Sequence, residues 1–375
     1  MGTSIIFFSA KTQYQNLGDM IINREILLQL RNYGKLIVDD KGVPEWFCND
    51  LEIDFYERSS NYNMTFEILI IWYALKALFK KECKIYFVLK PGHFYGEFSF
   101  IHLLKLLYFV IIKFFGVRIC RFGASIGPFS KSMELIESFK SKLMYFYSVR
   151  DGISKDYAHQ IGIEKVFIFP DMAWIMKATN ESFVKPTKGD KYVVFSFRKS
   201  THNLGAILEY KNYLFETLDK IIELVCKKWS YKLVLSYQVE DDKNICQELM
   251  QKYKDIYNVS FMEKKINLQT AYTLYSGAEM VFSNRLHVLM LAILSGSLPI
   301  GVVDIKEHNK ITGIFADEEL SNLIINIYSK QSIIDSLSDI VNKKYLFRKQ
   351  LDTCLERQRN KASELFLSVF GDNDI

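Results

Sequence analysis

Proline and cysteine are both scarce, six of each in 375 residues. With nearly half the residues apolar and a quarter charged, the chain reads as folded and globular, not disordered or fibrous. The cysteines (Cys48, Cys83, Cys120, Cys226, Cys246, Cys354) are scattered, with no C-x-x-C pair. That excludes a disulfide frame or a zinc site and predicts reduced, mostly buried thiols in the cytosol. No uncharged apolar run reaches 18 residues, so no spanning helix is expected. The start, MGTSIIFFSAK, lacks a basic n-region and a cleavage site, so no signal peptide is expected.

Several motifs are missing too. There is no G-x-G-x-x-G after a strand, no Walker A loop, no H-E-x-x-H and no G-x-S-x-G elbow. Dinucleotide, P-loop, zincin and hydrolase readings fall away. The only D-x-D, Asp372-Asn-Asp374, lies in a tail expected to fray, so no metal-diphosphate site is expected there. Net charge is only +5, which fits an anionic substrate or a membrane surface but is too weak to argue for nucleic acid.

What is present is alternation. Candidate strands Ser4–Phe8, Leu36–Val38, Lys84–Leu89, Arg118–Phe122, Tyr145–Ser148 and Val166–Phe169 are separated by helical patterns near 19–33, 63–81, 100–115, 132–143 and 154–161. Such alternation predicts a parallel sheet with helices on both faces. Polar residues 177–191, with Pro186 and Gly189, then read as a linker. Alternation restarts with strands Tyr192–Phe197, Lys232–Tyr237, Val259–Met262, Met280–Phe282 and Pro299–Val303. The expected organisation is an N-terminal Rossmann-like lobe (1–176), the linker, a second such lobe (192–331) and C-terminal helices (332–375). Two doubly wound α/β lobes facing across a cleft would bind ligands at the carboxyl ends of their strands.

One segment bears on location. Phe98–Val117 is apolar apart from His102, Lys105 and Lys113, and the lysines fall about 80° apart on a helix. It reads either as a packed crossover helix or as a helix in the membrane interface. The chain is accordingly expected in the cytoplasm, with peripheral attachment to the inner face of the membrane left open.

Four strand-ending loops hold candidate chemistry. In Gln15–Met20, Asn16 or Asp19 could cap the following helix, and Gly18 allows close backbone approach; an ordinary βα turn is the plain alternative. In Lys90–Glu97, His93 and Glu97 are candidate proton carriers, which burial could bring near neutral pKa. In Ser148–Asp151, Arg150 could grip a carboxylate or phosphate, or could be part of a surface turn with Asp151. Arg198 repeats the arrangement in the second lobe. In Ser283–His287, Ser283 or Asn284 fits an N-cap, placing Arg285 and His287 in a first turn that favours anions. A structural histidine there is the alternative.

Taken in order, these loops resemble the polysaccharide pyruvyl transferase family. The matching stretches are NLGDMII (16–22), GHFYGE (92–97), GASIGPF (123–129), SVRDGIS (148–154) and GIEKVFIFPDMAW (162–174), which holds Asp171. FSFR (195–198), SNRLHVLMLAILSGSLPIGV (283–302) and K-x-x-G (310–313, from Lys310) continue the series. The resemblance implies two Rossmann-like lobes of GT-B type and transfer of pyruvate from phosphoenolpyruvate to a sugar, giving a ketal on a capsule or exopolysaccharide, or on its lipid-linked precursor, in a bacterium. It matches the family's R-x-H to Arg285 and His287, and its R-D-x-x-S arginine to Arg150. Glu97 stands for the acidic residue after the family's glycine-rich loop, where Pro91-Gly92-His93 departs from the usual small residues.

On that basis Arg285 and Arg150 are expected to hold the donor, with Arg198 third. His287 would protonate the methylene carbon or shuttle the proton, and Glu97 would deprotonate a sugar hydroxyl. Asn16, Gly18, Asp19, His93, Asp171, Asn284 and Lys310 would complete the substrate-binding set, without metal or cofactor. The rival readings are a GT-B glycosyltransferase using a nucleotide sugar, and a non-catalytic scaffold in polysaccharide assembly.

Overall fold

The computed structural model of the chain describes residues 4–79, 83–177, 191–199, 207–329 and 331–371. Apart from its two end residues, the expected linker 177–191 lies outside these, as does Asp372-Asn-Asp374. The chain clusters into two compact units: Met1–Tyr14, Asp19–Ile175 and Gln358–Ile375 form the first, and Gln15–Gly18 with Met176–Arg357 form the second. The C-terminal helices therefore do not stand apart as a 332–375 segment but are divided between the two units.

In the first unit the elements run β1 (Ser4–Ser9), α1 (Leu17–Leu30), β2 (Lys35–Asp39), α2 (Glu45–Asp50), α3 (Phe66–Leu78), β3 (Lys84–Leu89) and β4 (Gly92–Gly96). They continue with α4 (Phe100–Phe114), β5 (Arg118–Phe129), α5 (Lys131–Leu143), β6 (Phe146–Val149), α6 (Gly152–Gln160), β7 (Phe167–Ile168) and α7 (Met172–Ile175). The sheet order is β2-β1-β3-β5-β6-β7, all parallel, with β4 pairing β5. Strands covered on both faces read as near-continuous apolar runs, as SIIFFS and KIYFVL do. One side is filled by Phe7, Ile37, Ile85 and Ile119 against α3 and α4 through Leu69, Ile70, Phe109 and Ile112.

Two expectations change here. The Lys90–Glu97 segment is not wholly a loop, because Gly92–Gly96 forms β4 beside the extended second half of β5. Both end glycines have positive φ (120° and 116°), which side-chain-bearing residues avoid. And β5 runs on to Phe129, seven residues beyond the predicted end at Phe122.

The second unit contains β8 (Tyr192–Ser196), α8 (Ile207–Ile222), β9 (Lys232–Leu235), α9 (Lys243–Tyr253), β10 (Val259–Phe261), α10 (Leu268–Ser276) and β11 (Met280–Ser283). After these come α11 (Leu286–Leu294), β12 (Leu298–Val303), α12 (Asn309–Asp317), β13 (Ile324–Asn326), α13 (Ile333–Asn342) and α14 (Lys344–Phe370). Its sheet, β10-β9-β8-β11-β12-β13, is parallel throughout. Chain order runs outward in opposite directions from the β8/β11 junction, so the gap between their carboxyl ends is the switch point where open α/β sheets take ligands. Helix α11, LHVLMLAIL, is buried along its length except at His287.

The last helix belongs to both units by sequence. Its residues up to Arg357 cluster with the second unit, and from Gln358 onward with the first. There Phe366 and Phe370 stack with Tyr33, and both also pack on Phe122.

Candidate functional site

The switch point of the second sheet concentrates charge. Ser196 and Ser283 pair across β8 and β11, and each chain then leaves the sheet and reaches an arginine two residues on, Arg198 and Arg285. The two exits are stitched together. Ser283 Oγ donates to the Ser196 carbonyl (2.5 Å) and accepts from the Arg285 N–H (2.9 Å). The fully buried Asn284 accepts from the Arg198 N–H (2.9 Å) and donates to the Arg198 carbonyl (2.8 Å) and Tyr210 Oη (3.0 Å). Asn284, expected to meet substrate, thus spends its amide on fixing the Arg198 loop.

Helix α11 starts later than expected. Its N-cap is Arg285, with extended backbone, and not Ser283 or Asn284, because those two residues are engaged with β8. Only His287 lies within the first turn, so Arg285 and His287 have separate neighbours. Arg285 forks onto Asp242, with Nη2 to Oδ1 at 2.7 Å and Nε to Oδ2 at 2.5 Å. His287 faces Gly18, where a Cβ would overlap the imidazole Nδ1. The Asn16 turn is therefore shaped around this histidine.

Arg198 lies close enough to Arg285 for their charges to repel. Burial first, then the Arg285 charge, lowers the Arg198 pKa from its ordinary value. The Asp242 carboxyl is raised by burial, against the pull of Arg285. One carboxylate thus faces two guanidinium groups.

Sequence reasoning passed over His308, just after β12 and before Lys310. It is buried, stacks on Tyr210 at 5.9 Å, and bonds through Nδ1 to the Asp304 carbonyl (3.1 Å). Since a carbonyl only accepts, Nδ1 carries the hydrogen and Nε2 keeps its lone pair in the neutral ring. Burial, then the Arg198 charge, pushes this histidine down to about 4, with Lys310 adding to the push. Among the described residues, His308 Nε2 and Arg198 Nε are buried without a hydrogen-bond partner. The signal available was position alone, a histidine following a predicted strand. Asp242 had less, being one of three acidic residues in a row at 240–242.

In the first unit the expected residues are placed differently. Arg150 is not at a surface turn and does not present a free fork. Its side chain is 2 % exposed, with Nη1 bonded to Asp171 Oδ2 (2.5 Å) and Nε to Ser125 Oγ (2.7 Å). Arg150 and Asp171 are each other's partners, and Asp171 also accepts from the Ala173 N–H (2.9 Å). Asp151 caps α6 by accepting from the Ser154 N–H (2.7 Å). His93, half-buried on β4, bonds through Nε2 to the Gly127 carbonyl (2.7 Å) and stacks on Tyr95. Glu97 is exposed, not buried as expected. Asn16 accepts from the Gly18 N–H (3.0 Å), making the turn that starts α1, while Asp19 accepts from Thr12 Oγ1 (3.2 Å).

Among the described residues no group of three or more His, Cys, Asp or Glu is arranged to hold a metal ion, and no helix is long and apolar enough to cross a membrane.

Known structures share the fold. A glycosyltransferase from Rickettsia africae is 11 % identical over 99 % of this chain and 100 % of its own, with a TM-score of 0.61. A putative UDP-N-acetylglucosamine 2-epimerase from Listeria monocytogenes is 10 % identical over 100 % and 98 % (TM-score 0.58). The UDP-GlcNAc 2-epimerase of Neisseria meningitidis, solved with UDP-GlcNAc bound, is 14 % identical over 99 % and 100 % (TM-score 0.57). At these identities the likeness shows the fold, two parallel-sheet α/β domains of GT-B type. No curated protein matches the chain significantly. A family model described as polysaccharide pyruvyl transferase matches residues 16–296. That match runs from the Asn16 turn through both arginine loops to the end of α11, and the chain belongs to the polysaccharide pyruvyl transferase family, transferases whose acceptor is a glycan.

Proposed function

We propose that this transferase moves the pyruvyl group of phosphoenolpyruvate onto two hydroxyls of a saccharide, giving a cyclic ketal and inorganic phosphate. The observation that carries the reading is the pair Arg198 and Arg285 at the switch point, with the single carboxylate of Asp242 between two guanidinium charges. A small ligand bearing both a carboxylate and a phosphate supplies the missing negative charge, and arginine forks suit both groups.

In this scheme His287 gives a proton to the methylene carbon as one sugar oxygen bonds to C2. The C2–O bond to phosphate then breaks, the second hydroxyl closes the ring, and its proton leaves with the phosphate. Glu97 takes the proton of the first hydroxyl. Buried Arg150 acts through Asp171 as a positioning residue, and His308 Nε2, with its lone pair free in the neutral ring, accepts a hydrogen from the phosphate. Lys310 adds positive charge beside it, and Asn16, Gly18, Asp19 and His93 shape the acceptor side. The scheme calls on no cofactor.

Incubation with phosphoenolpyruvate and lipid-linked glycans tests it. The expected result is phosphate release together with a glycan heavier by one pyruvyl ketal. Release of nucleotide from a nucleotide sugar, with phosphoenolpyruvate untouched, would assign the chain to glycosyl transfer instead.

A further inference from the structure

Helix α4 carries its apolar side outward. At 100° per residue Phe100, Leu104, Leu107, Ile111 and Phe114 fall on one arc, and these five are 46 to 83 % exposed. The opposite side holds Phe109 and Ile112, buried in the core of the first unit. Lys105 and Lys113 flank that inner side, so the lysines sit at the base of the helix and the greasy arc forms its crest. The helix is anchored on both flanks: Tyr108 Oη donates to the Glu67 carbonyl of α3 (3.1 Å), and Lys113 Nζ donates to the Lys142 carbonyl of α5 (2.8 Å). Both neighbours extend the surface, α3 with exposed Leu75 and Leu78, α5 with exposed Leu135 and Phe139.

An apolar surface of this extent on a water-soluble fold marks something that covers it. Charge identifies the cover. Among the described residues, the exposed ions on and beside these three helices are Lys76, Lys105, Lys113, Lys131 and Lys142 against Glu67 and Glu97, with the partly buried Glu134 paired to Lys131. A second copy packed crest to crest would gather the lysines of both copies around the seam, with few carboxylates to meet them. A sheet of anionic headgroups would complement them, with the aliphatic stems lying along the apolar surface and the ammonium groups at headgroup level. At 15 residues the helix can lie in a bilayer interface but cannot span it.

We propose that the α3–α4–α5 face docks in the plane of an anionic lipid bilayer, with the crest of α4 sunk among the acyl chains. This is independent of the reading of the switch-point site, and its test measures binding, not turnover.

Sedimentation of the whole protein with phosphatidylcholine vesicles, alone or containing about one third phosphatidylglycerol, reads it directly. Binding should be about tenfold or more tighter to the anionic vesicles. Leu107→Glu with Phe114→Glu should lower it by about tenfold or more, with an unchanged melting temperature, since neither side chain is in the core. Lys105→Gln with Lys142→Gln should erase the preference for anionic lipid, and gives an answer even if the first pair fails to fold. The proposal is overturned by equal binding to neutral and anionic vesicles. It is also overturned by a lipid-free dimer that Leu107→Glu with Phe114→Glu makes monomeric, which would assign the face to a second copy.

Discussion

Arg285 donates from Nη2 to Asp242 Oδ1 (2.7 Å), and its Nε lies 2.5 Å from Oδ2 in the same ion pair. An incoming anion must therefore share this guanidinium with a resident carboxylate, or displace it. Lysine keeps the charge but lacks the planar fork. Arg285→Lys should raise the KM for phosphoenolpyruvate by about tenfold or more, since a bidentate charge-assisted contact is lost. Steady-state kinetics decide, and an unchanged KM removes Arg285 from donor binding.

His287→Ala should cut kcat by about 100-fold or more while leaving phosphate affinity intact, as expected for loss of a proton donor. Calorimetric phosphate titration beside single-turnover rates makes the separation. A variant as fast as the parent takes His287 out of the proposed mechanism.

Gly18→Ala probes the same ring from its other side. The new methyl would occupy the place of the imidazole Nδ1, so the ring must swing away. The expected outcome is a kcat defect approaching that of His287→Ala, about tenfold or more, with little change in donor KM. Retention of full activity would mean that the ring position does not govern turnover.

On the proposed reading, His308 would couple ligand binding to protons. The imidazole is neutral because burial and the Arg198 charge bring it down to about 4. The sign follows: the unfolded chain takes up this proton near 6.5 and the folded chain does not, so stability is lost as pH falls from about 6.5 towards 4. A bound phosphate offsets the Arg198 charge and moves the imidazole back upward, so binding near pH 5 should take up protons. Titrations in buffers of different ionisation enthalpy measure the uptake, and His308→Asn should abolish it. Identical uptake in the variant assigns the protons elsewhere.

Glu25 in α1 shows the opposite sign. Burial pushes its carboxyl up to about 7 against the favourable Arg24 charge, with Glu52 adding to the rise. The folded chain keeps a proton that the unfolded chain releases near 4.5, so stability falls as pH rises from 4.5 through about 7. The full cost, reached above that range, is up to about 3 kcal/mol. Glu25→Gln should melt several degrees higher than the parent at pH 8 and close to it at pH 4.5. Equal melting temperatures at both pH values would leave Glu25 without this role.

Alternating apolar runs made both sheets readable from sequence, because parallel strands buried on two faces carry little but β-branched and aromatic residues. Strand β4 was hidden by its glycines and Pro91, which signal a loop whether or not the chain between them pairs. Strand β13 is three residues long, too short for any period to show. Arg198 and Arg285 were found because each closely follows a predicted strand. The partnership of Arg150 with Asp171 spans 21 residues and depends on where β6 and the start of α7 place their ends. No local pattern reveals that, so Arg150 read as an open arginine. His308 was missed for the same reason, since its role is set by Tyr210 and Arg198, about a hundred residues earlier in sequence.

The divided membership of α14 limits how this protein could be dissected. A fragment ending at Ile175 would keep every strand of the first sheet yet lose Phe366 and Phe370, leaving Phe122 and Tyr33 without the rings that cap them. Expressed alone, such a piece should be sticky and poorly folded, and supplying the closing helix as a separate peptide should rescue it.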